Sequence, residues 1–100
     1  MHKPLLTLTT TTLLALAAVQ AQADNGQTVY DDNCAGCHSG GGAPQLGDQE
    51  AWQSRIDKGM DALYANAING VGGMPAKGGN MGLSDAEVKS AVDYLVDESR

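Results

Sequence analysis

The sequence predicts a small all-α domain of about four short helices, on three observations. Apolar residues recur at three- and four-residue spacing in short runs. Glycine-rich breaks separate those runs, and no stretch of useful length alternates apolar with polar as a strand would. A chain of 100 residues with one tryptophan, three tyrosines, no phenylalanine and two cysteines is one domain at most.

Met1, His2 and Lys3 make a short positive start, Leu5 to Val19 is apolar around a threonine run, and Ala21-Gln22-Ala23 gives a small-x-small cleavage pattern. Residues 1–23 therefore read as a cleaved export signal to the periplasm, with residues 24–100 as the domain. An uncleaved anchor would need a continuous apolar stretch of about 20 residues, and the run here is shorter. No stable membrane insertion is expected once the signal is removed.

The first helix is expected from Gly26 to Cys37, with Val29, Tyr30 and Cys34 at helical spacing and Ser39-Gly40-Gly41-Gly42 as its stop. Asp48 caps a second, running through Ala51, Trp52 and Ile56 to Gly59, with Glu50 in the first turn. A third spans Asp61 to Asn69, buries Leu63, Ala67 and Ile68, and ends at Gly70. The last opens on Ser84-Asp85-Ala86-Glu87, a capping box, with Leu83 and Val88 spaced as a hydrophobic staple. Ala91, Val92, Leu95 and Val96 continue its apolar face with Tyr94 at the edge, and the partner expected is the first helix through Gly26, Val29 and Tyr30. Between the third and last helices, Gly70 to Gly82 is a structureless loop with six glycines, and a loop of that length in so small a domain is usually functional.

Charge narrows the function. The net charge is −6, or −7 without Lys3, and the few remaining cations are scattered, which excludes nucleic acid as a partner. Few aromatics and many glycines cannot fill a core alone, and two cysteines three apart close too small a loop to help. A bound group must supply apolar volume.

Cys34-Ala35-Gly36-Cys37-His38 names that group. Two thiols one helical turn apart can each add to a haem vinyl group, and the adjacent histidine becomes an axial ligand of the iron. A redox dithiol would want a βαβ setting, and a zinc site a further cysteine or histidine; residues 24–100 offer neither. The cofactor expected is one covalently bound haem c. His38 is the only histidine of the domain, so the other axial position falls to a methionine, a lysine or no residue. Met60 opens a helix, where methionine is commonly core filler. Met74 and Met81 share the glycine loop; Gly72, Gly73 and Pro75 let the backbone come close to a flat ring at Met74, which spacing favours without eliminating Met81.

Together with Gly42-Ala43-Pro44, Gly47-Asp48, Ala51-Trp52, Arg55, Gly59, Asp61, Ala67, Asn69-Gly70, Met74-Pro75, Lys77-Gly78-Gly79 and Leu83-Ser84, the attachment motif resembles the class I c-type cytochromes, in particular the short bacterial c-five type. The resemblance covers essentially residues 24–100. It implies that fold, with the helices wrapped around the haem, and Met74 as sixth ligand. It also implies that the Pro44 carbonyl accepts from the His38 ring, although the stretch between His38 and Pro44 is shorter than in relatives, which predicts a rearranged contact. Trp52 and Arg55, three apart on one helix face, either reach a haem propionate with their N–H groups or are a core ring and a solvated charge.

The function expected is a periplasmic electron carrier. It would shuttle single electrons by transient docking with periplasmic redox proteins or membrane-bound respiratory complexes. The competing expectation is a haem sensor or peroxidase-like enzyme with a labile sixth ligand.

Overall fold

The computed structural model describes residues 25–100, so the export signal expected over residues 1–23 lies outside the described residues. Five helical segments follow one another: α1 (25–33), α2 (Ala35–His38), α3 (Gln49–Ile56), α4 (Met60–Asn69) and α5 (Asp85–Ser99). The only β pairing among the described residues is an isolated bridge between Val71 and Met74. None of the described helices is long and apolar enough to cross a membrane.

The expected first helix is broken at Cys34. The Asn33 side chain donates to the Val29 carbonyl at 3.0 Å, competing with the helix's own ladder, and Cys34 departs to φ −120°. The chain resumes as a single turn in which the Cys37 and His38 amides both point at the Cys34 carbonyl, 3.2 and 3.0 Å away. α3 also ends earlier than expected, at Ile56 instead of Gly59, after the capping contact of the Asp48 carboxylate with the Ala51 amide at 3.2 Å.

α5 has the expected start. The Ser84 hydroxyl accepts from the Glu87 amide at 3.1 Å, and the Ser84 amide donates to the Glu87 carboxylate at 2.9 Å. The Ser84 backbone N–H first, and the Ser84 hydroxyl second, hold the Glu87 carboxyl below the usual carboxylate range. The apolar face of α5 buries Val88, Ala91, Leu95 and Val96, while Lys89, Asp93, Asp97 and Glu98 face water.

α1 packs on that face as expected. Val29 and Tyr30 share the core with Ala91, Leu95 and Val96, and the Tyr30 and Tyr94 rings lie 5.5 Å apart. Gly26 sits where the two backbones come closest: a Cβ there would be 2.5 Å from the Ser90 carbonyl oxygen. α4 packs on α5 through Leu63, and the Tyr64 hydroxyl donates to Asp93, which pushes the phenol up to about 12. Ala67 is also buried, but Ile68 remains half-exposed.

The expected structureless loop is organised. Val71 and Met74 exchange two backbone hydrogen bonds at 3.0 and 2.8 Å, and a tight 3₁₀ turn, Ala76–Gly79, follows Pro75. A buried serine that periodicity had not marked ties the far end: Ser99 Oγ donates to the Leu95 carbonyl at 2.7 Å and accepts from the Gly47 amide at 2.9 Å.

Candidate functional site

The helices enclose a cavity of about 730 Å³, within the roughly 300–1,000 Å³ typical of cofactor pockets. Its walls are the core itself. Of the nine buried apolar residues among the described ones, all but Val96 also line the cavity, so the core cluster and the cavity wall are largely the same side chains.

One wall carries Cys34, Cys37 and His38. No disulfide joins the two sulfurs. Burial, and secondarily the neighbouring Cys37, pushes the Cys34 thiol above its ordinary value, the opposite of the depressed thiol that drives a redox dithiol. His38 is buried, and its Nδ1 lies 2.8 Å from the Pro44 carbonyl. A carbonyl only accepts, so Nδ1 bears the proton and Nε2 is the ring atom left to ligate a metal. The expected His38–Pro44 contact is thus made, and the short connection does not rearrange it.

Gln45, which sequence reasoning passed over, shapes that connection. Its Oε1 accepts from the Gly40 amide at 2.6 Å, and its Nε2 lies within 2.8–3.0 Å of the carbonyls of Cys37, Gly41 and Ala43. The Leu46 amide donates to the His38 carbonyl at 2.7 Å. These bonds fold residues 38–46 so that the Pro44 carbonyl reaches the imidazole. No spacing rule announces a glutamine acting this way inside a glycine-rich loop.

The loop between α4 and α5 brings Met74 to the same cavity as His38. Met60 and Met81 do not line it: Met60 packs half-buried against the core, and Met81 is 68 % exposed. Trp52 is a buried cavity wall, its ring 5.9 Å from that of His38. Its indole N–H, which helix spacing offered to a propionate, donates instead to the Gln45 carbonyl at 2.9 Å, the acceptor that the folded loop sets beside it. Arg55 lies at the rim, spending one donor on the Ala51 carbonyl and lying 5.9 Å over the Trp52 ring.

The charge at the cavity is one-sided. Arg55, Lys58 and Lys77 line it and, among the described residues, no acidic side chain does, although the chain as a whole is acidic and Lys77 is itself paired with Asp85. A flat apolar ring with two carboxylates and two thiol-reactive arms suits this lining. Apolar walls receive the macrocycle, cations lie within reach of its acids, and the two thiols stand one turn apart beside an imidazole with an open lone pair. The residues fit haem.

Comparison with known proteins gives the same answer. The family model described as "Cytochrome C oxidase, cbb3-type, subunit III" matches residues 21–95. Cytochrome c-555 of Chlorobaculum thiosulfatiphilum is 49 % identical over 81 residues, covering 75 % of this chain and 94 % of the relative. Cytochrome c5 of Ectopseudomonas mendocina is 40 % identical, covering 75 % and 95 %. A solved cytochrome c, in a crystal structure of its electron transfer complex with nitrite reductase, superposes with a TM-score of 0.71 at 38 % identity, covering 76 % of this chain and 95 % of its own. With this fold, this cavity and these relatives, the chain belongs to that cytochrome family as a class I monohaem c-type cytochrome related to cytochromes c-555, c5 and c6, an electron carrier and not an enzyme, with one covalently attached haem c.

Proposed function

We propose that this cytochrome shuttles single electrons in the periplasm with its haem held by Cys34 and Cys37 and ligated by His38 Nε2 and Met74 Sδ. The observation that carries the reading is that, of the three methionines among the described residues, Met74 alone shares the cavity with His38. Haem iron supplies one-electron exchange between ferrous and ferric states. A thioether in the sixth position favours the ferrous state and raises the potential. The Pro44 carbonyl fixes the His38 ring, and the Trp52 ring and the apolar faces of α4 and α5 exclude water. Arg55 keeps free N–H donors at the rim for a propionate, with Lys58 beside it on the cavity wall.

Transient docking with a redox partner is the mode the solved relative supports, since it was captured in an electron transfer complex. An acidic carrier suits a basic patch on its partner, and its association rate falls as salt rises. The export signal expected over residues 1–23 and the cofactor's need for thioether attachment both support a periplasmic site of action.

The ferric absorption spectrum tests the ligand set. The protein should show the weak near-red methionine-to-iron band and keep it in Met81→Ala. Met74→Ala should lose the band and have a markedly lower potential. A band that survives Met74→Ala and vanishes in Met81→Ala would reverse the assignment.

A further inference from the structure

Lys77 is the only described residue other than glycine with a positive φ, at φ 55° and ψ 31°. A side chain with a Cβ is disfavoured there, and glycines follow at once in Gly78 and Gly79, so the turn is built for residues without one. Something must hold a lysine in that place. Its Nζ donates to the Leu83 carbonyl at 2.7 Å and pairs with the Asp85 carboxylate at 3.1 Å, leaving the side chain only 16 % exposed. The stem crosses beneath the loop to the start of α5, whose capping box makes it a fixed point.

The same turn is anchored on its other side. Gly78 lies so close to α1 that a Cβ would stand 2.8 Å from the Asn33 carbonyl, and Asn80 Nδ2 donates to Asn33 Oδ1 at 2.9 Å. Asn33 immediately precedes Cys34. Residues 77–80 therefore form a strap between α1 and α5. Met74 is coupled to that strap through a short stiff path: the paired Val71 and Met74, then Pro75, whose carbonyl accepts from the Gly78 amide at 3.2 Å.

We infer that Lys77 is a positioning residue that, with Asn80, keeps the Met74 sulfur on the haem by pinning its loop to α5 and α1. The inference rests on Met74 being the sixth ligand. The carrier's reaction needs that ligand to stay put while the iron changes charge, and the Val71–Met74 pair and Pro75 pass the hold of residues 77–80 on to Met74.

The test compares Lys77→Gly and Asn80→Ala with the unaltered holoprotein. Lys77→Gly suits the purpose because glycine is at ease at φ 55°, so the backbone is relieved while the clamp is lost. Exogenous imidazole is mixed with ferric protein, and its association rate, limited by departure of the methionine, is followed by absorbance. The near-red band and far-UV circular dichroism are followed through a denaturant titration. With the strap cut, imidazole should enter about tenfold faster or more, the size expected for losing one charged hydrogen bond, and the band should fade well before the helices unfold. If both variants bind imidazole at the unaltered rate and lose band and helix together, Lys77 and Asn80 merely support the fold and the inference falls. If the unaltered protein has no methionine band at all, Met74 ligation itself fails and takes the strap with it, a distinct result.

Discussion

Gln45 shows how much one uncharged side chain can decide. Its carboxamide joins the Gly40 amide to carbonyls on the far side of the same loop, and its backbone carbonyl receives the Trp52 indole N–H. Between them these bonds put the Pro44 carbonyl against His38. Gln45→Ala should cost about 1–2 kcal/mol of stability, the sum of a few partly exposed hydrogen bonds that water partly replaces. Denaturant unfolding measures that loss. The more telling readout is the His38 Nδ1 proton, whose exchange with solvent should speed up as the loop loosens. Glu87 is a second residue whose effect can be isolated. Because its carboxyl titrates below the ordinary value in the fold, its contribution is complete above about pH 4.3 and disappears as pH falls through the lowered value. Glu87→Gln should therefore be less stable than the unaltered protein at neutral pH, with the gap closing only as the pH falls through that lowered value, measured by thermal midpoints from neutral into acid pH.

At the scale of elements, the pairing of α1 with α5 depends on the missing side chain at position 26. A Cβ there would meet the Ser90 carbonyl oxygen at 2.5 Å and its carbon at 3.0 Å, both backbone atoms that cannot swing away. Gly26→Ala should destabilise by roughly 1–3 kcal/mol, as overpacking does, although alanine favours helix. Gly36→Ala is the matched comparison. It lies in α2 with nothing within 4 Å of its Cβ position, so it should be neutral or gain up to about 1 kcal/mol. Equal midpoints for the two variants would refute the close approach. The helices with strong local chemistry were legible in the sequence. Ser84 and Glu87 announce α5, Asp48 announces α3, and Gly70 closes α4. The break at Cys34 was not, because the departure of a single residue to φ −120° leaves no mark on helical periodicity. Nor was the turn at Lys77, whose unusual backbone is held by Leu83 and Asp85, partners beyond any local pattern.

The molecule as a whole is organised around its cavity. Sequence composition already implied a core in need of filling, and Cys34, Cys37 and His38 named the filler. What composition could not give was which apolar residues would face it and which cations would gather at it, since both follow from how α3, α4 and α5 turn in space. Among the described residues Val96 is the only buried apolar one that does not line the cavity, so without a bound group the rest of that cluster would keep one face on a space of about 730 Å³. The described residues 25–100 are too few to bury another core, and a small domain has only about 5–15 kcal/mol of net stability to lose. Attachment is then a condition of folding as well as of electron transfer. In Cys34→Ser/Cys37→Ser, stripped of any loosely held haem, far-UV circular dichroism should show most helix gone and heating should give no cooperative transition. Ser84 and Glu87 lie outside the cavity lining, so residual helix should be confined to the start of α5, detectable as slowed amide exchange there alone. A cooperative melt in the haem-free variant would mean that the apolar faces can close on each other, and that the cavity is a consequence of the fold instead of its organising centre.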